Sequence, residues 1–142
     1  NWLKAAKSTA ITDQALRVWA LASGKAPQSE VSRAAKALMA EQRADGGWAS
    51  LPKVDSDAYS TGLALQALRQ AGAITVKDES YRRGLFYLVS TQKQDGTWHV
   101  ATRAFPIQPY KESGFPYGKD QWISAAATSY ALLSLSAAAG VH

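Results

Sequence analysis

Two carboxylates, Asp55 and Asp57, are the side chains whose type and spacing could support acid–base chemistry in this sequence of 142 residues. They directly precede an apolar helical pattern. A carboxyl group that protonates carbon must be kept neutral, with a neighbouring acid and a dry surrounding. A helix N-terminus instead favours the carboxylate of Asp57, and Asp is also a preferred N-cap residue. Capping therefore explains Asp57 by itself, and acid catalysis stays open as the second interpretation.

Other reaction classes lack the residues that they need. The chain has no cysteine, which excludes disulfides and thiolate metal ligands. His99 has no second ligand at a useful spacing, so we interpret it as an ordinary surface residue. No Gly-rich phosphate loop, G-x-S-x-G elbow or H-E-x-x-H motif is present. Glycoside hydrolysis needs two acids facing one cavity, and Asp55 and Asp57 are too close in sequence for that. We expect no metal and no cofactor.

The composition is that of a soluble globular chain, and we predict one domain over residues 1–142. Hydrophobic residues make up 46% and charged residues 19% of the sequence. The net charge of +5 comes from dispersed basic residues, so we expect no nucleic-acid partner. No apolar run of about 18 residues occurs, so we predict no transmembrane helix. The compartment stays open: the chain starts at Asn1 rather than Met, and a removed signal peptide would make it periplasmic or secreted.

A seven-residue string, Q-x-x-D-G-x-W, occurs at residues 42–48 and again at residues 92–98, fifty positions later. Each copy closes a helical pattern, so the string indicates a structural repeat. The glycine can adopt the left-handed conformation that ends a helix. The tryptophan is expected to pack between repeats, and the glutamine amide to reach free backbone groups at a neighbouring helix terminus. The residues predicted to have this structural role are Gln42, Gly46, Trp48, Gln92, Gly96 and Trp98.

Hydrophobic periodicity predicts five helices, over about residues 12–23, 29–42, 57–71, 79–92 and 124–139. The second and fourth are amphipathic, with apolar residues in the same five positions. The third is apolar nearly all round, which is typical of a helix buried on two sides, and the first and fifth share its pattern. We therefore predict an all-α fold in which outer helices cover inner ones, in two and a half pairs.

An insertion separates the last two inner helices. Thr12, Thr61 and Thr128 occupy one repeat position at offsets of 49 and 67 residues, so about seventeen extra residues lie between Trp98 and Trp122. Loops of this length in compact domains are usually functional or disordered, and the aromatic residues here argue against disorder. We expect either a lid or wall of a ligand site, or a packed loop covering the open end of the stack. The predicted ligand-binding residues are Phe105, Tyr110, Phe115, Tyr117 and Trp122, with Arg103, Lys111 and Lys119 as polar contacts.

The repeated Q-x-x-D-G-x-W string on helix pairs with a period near fifty resembles the QW motif of squalene–hopene and oxidosqualene cyclases. The wider group includes class II terpenoid cyclases and protein prenyltransferase β-subunits. The resemblance extends over about residues 12–139. It implies an α/α toroid in which inner helices line a central cavity and outer helices surround them.

The resemblance also implies a proton donor. Cyclases of this kind protonate an alkene or epoxide with an Asp of a D-x-D-D-T-A motif at the cavity end of an inner helix. In that alignment Asp55 matches the first Asp and Asp57 the donor, whereas Ala58 replaces the fourth acid and Tyr59 the threonine. The prenyltransferase zinc site requires a cysteine, which this chain lacks.

A closed ring of such pairs needs more helices than two and a half pairs supply, and a short stack has apolar end faces. The chain is therefore expected to be part of a larger ring, a half-toroid that self-associates through those ends, or a small domain capped by the insertion and Trp2-Leu3. We expect a non-catalytic binding or scaffolding module for an apolar small molecule or a protein partner. The alternative is a terpenoid cyclase-type isomerase with Asp57 as proton donor.

Overall fold

The computed structural model describes residues 8–105 and 109–140. These residues form five α-helices and no strand, which confirms the all-α prediction. The helices are α1 (Ile11–Ser23), α2 (Gln28–Ala40), α3 (Ala58–Gln70), α4 (Glu79–Thr91) and α5 (Gln121–Ala139), with a short 3₁₀ helix (Gly118–Asp120) directly before α5. The capping role predicted for Trp2-Leu3 lies outside the described residues, as do residues 106–108 of the insertion.

The helices form two layers. In the inner layer, α3 packs against α1 on one side and α5 on the other. In the outer layer, α2 packs on α1 and α4 packs mainly on α3. This is the predicted alternation of inner and outer helices. Three inner and two outer helices do not show closure of a ring.

The middle inner helix, α3, is buried along nearly its whole length. Ten of its thirteen residues are buried, and most of these are small or aliphatic. Asp57 precedes it in an extended conformation and accepts a hydrogen bond from the Ser60 backbone N–H at 2.7 Å. This carboxylate therefore satisfies one of the free N–H groups at the start of the helix.

The last inner helix, α5, is buried on one face only. Its small residues Ala127, Thr128 and Ala131 are buried, whereas Trp122, Leu132 and Leu133 are exposed. The difference from α3 arises because no described inner helix covers the second side of α5. The segment Gly118–Ala139 also has the length and mean hydropathy, 1.2, of a membrane-crossing helix, which the sequence analysis did not predict. Core helices of water-soluble proteins share these two properties.

The two Q-x-x-D-G-x-W strings form turns, named here the first turn (42–48) and the second turn (92–98), that have the same internal structure. Trp48 and Trp98 are buried. The indole N–H of Trp48 donates to the Leu38 carbonyl at 2.8 Å, and that of Trp98 donates to the Leu88 carbonyl at 2.7 Å. Each tryptophan therefore fastens its turn to the outer helix that precedes it.

Each turn is also bonded to the inner helix that follows it. The Trp48 backbone N–H donates to Thr61 Oγ1 at 2.9 Å, and the Trp98 backbone N–H donates to Thr128 Oγ1 at 3.1 Å. Thr61 and Thr128 occupy the same repeat position in α3 and α5. The repeat in the sequence is thus a repeat in hydrogen bonding, and the insertion leaves this relationship intact.

Candidate ligand-binding cavity

A cavity of about 540 Å³ lies where the three inner helices begin. Its walls come from the N-terminal ends of α1, α3 and α5, from the segment after the first turn, and from the segment after the second turn. Most of the side chains that line it are apolar, and Asp57 and Arg103 are the charged ones. The lining residues with the largest side chains are Leu51, Tyr59, Val100, Arg103, Trp122 and Ile123.

Asp57 is the more buried of the two charged residues that line the cavity. One carboxylate oxygen accepts the Ser60 N–H that caps α3. The other lies 3.4 Å from Nη1 of Arg103, which also donates to the Ser50 hydroxyl. The geometry therefore makes Asp57 a cap and an ion-pair partner.

The apolar wall includes side chains that remain partly in water. Trp122 is 62% exposed and Leu51 is 44% exposed, although both line the cavity. Tyr59 is half-buried, and its ring meets that of Tyr130 edge-on at 5.8 Å. Burial, followed by the neighbouring Tyr130 and the charge of Asp57, raises the pKa of Tyr59 above its ordinary value of 10.0. Its hydroxyl group therefore stays protonated at neutral pH and can donate a hydrogen bond.

The residues predicted to bind a ligand are not all at this cavity. Trp122 lines it, and so does Arg103, which was predicted as a polar contact. Phe105 is 89% exposed, and neither it nor Tyr110 belongs to the lining. Asp55 is exposed and does not line the cavity either, so the structure does not bring the two acids together at one site.

The other aromatic residues of the insertion form a cluster next to the second turn. Tyr117 adopts a left-handed conformation, φ 84°, and its hydroxyl group hydrogen-bonds with the Thr97 hydroxyl. Its ring lies against His99 at 4.7 Å, and the ring of Phe115 lies 6.4 Å from it. These contacts make this part of the insertion a packed loop over the second turn, and its predicted role in ligand binding stays a prediction.

His99 has a partner that the sequence analysis did not predict. Its Nε2 atom lies 2.9 Å from Asp120 Oδ2, and Asp120 Oδ1 accepts the Thr102 backbone N–H at 2.9 Å. The Thr102 hydrogen bond, with His99 as the second cause, lowers the pKa of Asp120 below its ordinary value of 3.8. His99 is exposed, as the sequence analysis expected, but its ring is hydrogen-bonded to Asp120 at the start of α5.

Among the residues that the structure describes, no group of three or more His, Asp or Glu side chains could hold a metal ion. Among the larger cavity residues, sequence analysis missed Leu51, Tyr59, Val100 and Ile123. Tyr59 could have been predicted from its position, because it lies in the first turn of an inner helix, two residues after Asp57. Leu51 lies in an irregular segment and had no comparable signal.

The layers and the cavity define a helical-repeat protein in which inner helices present their N-terminal ends to one apolar site. The chain belongs to the squalene-hopene cyclase C-terminal domain family, whose model matches residues 12–118. Membership implies descent from α/α toroids. None of the curated proteins matches the chain.

Proposed function

We propose that the chain is a binding module whose cavity at the inner-helix N-termini takes an uncharged, largely hydrocarbon ligand of terpenoid type. The supporting observation is the pair Trp122 and Leu51, large apolar side chains that line the cavity and remain 62% and 44% exposed. Covering such surface with an apolar ligand removes it from water, which is favourable. The volume of about 540 Å³ is that of a small-molecule site.

The charges of the cavity support an uncharged ligand. Asp57 and Arg103 face each other at 3.4 Å, so their charges largely cancel at the wall. A charged ligand would have to compete with this ion pair. The protonated hydroxyl group of Tyr59 remains available to hydrogen-bond one polar group of an alcohol. A long-chain isoprenoid alcohol such as farnesol therefore matches the chemistry of the walls.

Binding of radiolabelled farnesol, measured by equilibrium dialysis, tests this proposal. We expect saturable binding to the wild-type chain, and binding at least about tenfold weaker for Trp122→Ala, because a buried aromatic contact contributes about 1.5–3 kcal/mol. Phe86→Ala is the matched control, since Phe86 is exposed on α4 and lies outside the cavity. Equal weakening by both substitutions, or no saturable binding, would contradict a ligand site at this cavity.

The alternative function is acid-catalysed isomerisation with Asp57 as proton donor, and the position of Asp57 in the cavity favours it. Both carboxylate oxygens of Asp57 already have partners, one in the Ser60 N–H and the other in Arg103, so the carboxyl group acts in the wall as a hydrogen-bond acceptor. We therefore expect no cyclised product from squalene above the level without protein, for wild type and for Asp57→Asn alike. Product formed by the wild type and lost in Asp57→Asn would replace the binding proposal with the catalytic one.

A further inference from the structure

The first and second turns have the same internal hydrogen bonds but different surroundings. In both turns the glutamine amide donates to the glycine carbonyl, from Gln42 to Gly46 at 2.8 Å and from Gln92 to Gly96 at 2.9 Å. Their tryptophans also have matching bonds to the neighbouring helices. The two turns can therefore be compared atom for atom. They differ in whether a helix packs on them.

The first turn is covered by the beginning of α4. Gln42 donates to the Ser80 carbonyl at 2.8 Å and accepts from the Ser80 hydroxyl at 2.9 Å. Arg83 donates to the Arg43 carbonyl of the turn. A Cβ atom on Gly46 would lie 2.4 Å from the Arg83 carbonyl oxygen, so the helix backbone lies directly on the glycine.

The second turn presents the same groups without a helix on them. Gln92 is exposed, and among the described residues its amide donates only to Gly96. A Cβ atom on Gly96 would meet nothing within 4 Å except the Gln92 amide at 3.9 Å. The described part of the insertion contacts Thr97 through Tyr117 and leaves Gln92 and Gly96 uncovered.

The inner layer shows the same difference, because α4 covers an inner-helix leucine beside the first turn and no described helix covers its counterpart in α5. Leu65 of α3 is fully buried, and a Cβ atom on Gly84 of α4 would lie 2.9 Å from its side chain. Leu132 of α5 occupies the repeat position of Leu65, at the offset that relates Thr61 to Thr128, yet it is 49% exposed. Arg83 and Gly84 are adjacent, so one helix covers both Gly46 and Leu65. One helix could likewise cover both Gly96 and Leu132.

We propose that the surface formed by the second turn and Leu132, called here the open turn, is a docking site for an amphipathic helix from outside residues 1–142. This helix would begin on the open turn with a hydroxyl residue, an arginine three residues later and then a small residue. α4 carries that pattern as Ser80, Arg83 and Gly84 where it covers the first turn. Its apolar side would bury Leu132.

Two other occupants fit the open turn less well. A bilayer would cover Leu132 and Trp122, but it would leave the polar groups of the open turn without hydrogen-bond partners. In a second copy of the chain, α4 already lies on its own first turn. α2 carries Arg33 and Ala34 at the repeat positions of Arg83 and Gly84, but it has Glu30 at that of Ser80, so the position that bonds Gln42 lacks a hydroxyl group there.

The test uses the full chain and a fluorescein-labelled peptide with the sequence of residues 78–92, stapled between positions 86 and 90 to hold it helical. Phe86 and Ser90 are exposed on α4, so the staple does not occupy the docking face. We expect saturable one-to-one binding by fluorescence anisotropy, weakened at least about fivefold by Gln92→Ala in the chain, because about two hydrogen bonds are lost. The peptide with Arg83→Glu should be weakened similarly.

Gln94→Ala is the matched control, since Gln94 is an exposed glutamine of the same turn. It should bind the peptide as the wild type does. Absence of saturable binding, or the same affinity for wild type and Gln92→Ala, would overturn the proposal. Self-association in sedimentation equilibrium that Leu132→Ser abolishes would assign the surface to a second copy. Cosedimentation with phosphatidylcholine vesicles, abolished by the same substitution, would assign it to a membrane, and either result would overturn the helix proposal.

Discussion

Arg103 lies 3.4 Å from Asp57 and so connects the segment after the second turn with the beginning of α3, across 46 positions of sequence. The other oxygen of the same carboxylate accepts the Ser60 N–H at 2.7 Å. Asp57 thus stabilises a helix terminus and holds one wall of the cavity at the same time. Substitutions can separate these two roles.

Replacing Asp57 by alanine should destabilise the fold by about 1–2 kcal/mol, because the N-cap acceptor of α3 is lost. Asp57→Asn should cost less than half as much, since the amide oxygen still accepts the Ser60 N–H. The ion pair adds little, because Arg103 is partly exposed and such pairs contribute about 0–1 kcal/mol. Urea unfolding of both variants and of Arg103→Ala measures the three effects. Equal losses in the free energy of unfolding for Asp57→Asn and Asp57→Ala would show that capping is not the main role of Asp57.

The helices could be predicted because their burial follows the sequence pattern. The outer helix α2 buries Val31, Ala34, Ala35 and Leu38, which are positions of its apolar stripe. The start of α5 was placed three residues late, because Gln121 and Asp120 are polar and yet buried. The Gln121 amide donates to the Lys111 carbonyl, and the 3₁₀ turn before it continues into the helix. A hydrophobic pattern contains no signal for a polar residue that is buried because a loop supplies its hydrogen-bond partner.

The cavity could be predicted only in part. Asp57 was recognised because helix N-termini favour its residue type, and Trp122 because it ends an aromatic insertion. The pairing of Arg103 with Asp57 and that of His99 with Asp120 could not be predicted. These contacts depend on how an irregular segment returns to the helix termini, and neither periodicity nor spacing describes that path.

The two turn glycines should respond differently to substitution. Both have positive φ, 88° for Gly46 and 82° for Gly96, so alanine brings backbone strain of about 1 kcal/mol or more at either position. Only at Gly46 does the added Cβ meet backbone, 2.4 Å from the Arg83 carbonyl oxygen. We therefore expect Gly46→Ala to be about 1–3 kcal/mol more destabilising than Gly96→Ala in urea unfolding. Similar losses in the two variants would mean that α4 does not lie on the first turn.

Tyr87 should make stability sensitive to alkaline pH. Burial, with smaller contributions from Asp57, Asp45 and Asp55, raises its pKa from 10.0 to about 12, and its hydroxyl group donates to the Ser56 carbonyl at 2.6 Å. Because the folded pKa exceeds the unfolded one, its contribution to stability is complete below pH 10.0 and is lost as the pH rises towards 12.

Absorbance titration at the tyrosinate band checks this assignment. The difference between wild type and Tyr87→Phe should be one tyrosine that ionises well above its ordinary value, and the stability advantage of the wild type should shrink over the same range. A difference spectrum that titrates near 10.0 would contradict the assignment.

Asp120 should give the opposite pH dependence. The Thr102 N–H and then His99 lower its pKa below 3.8, so the unfolded chain binds more protons between the two values and stability rises with pH there. The contribution is complete above the unfolded value and is lost as the pH falls through the lowered one. The difference in free energy of unfolding between wild type and Asp120→Asn should therefore shrink below pH 3.8.

The substitution His99→Ala separates the contributions of Thr102 and His99 to the lowered pKa of Asp120. Since the backbone donor from Thr102 is the larger cause, the Asp120 pKa in this variant should rise but stay below 3.8, as measured by NMR titration of its carboxyl carbon. His99 also stacks on Tyr117, so the ring of Tyr117 should become more mobile while α5 keeps its start at Gln121. A pKa at or above 3.8 in His99→Ala would instead make His99 the larger cause of the lowered Asp120 pKa.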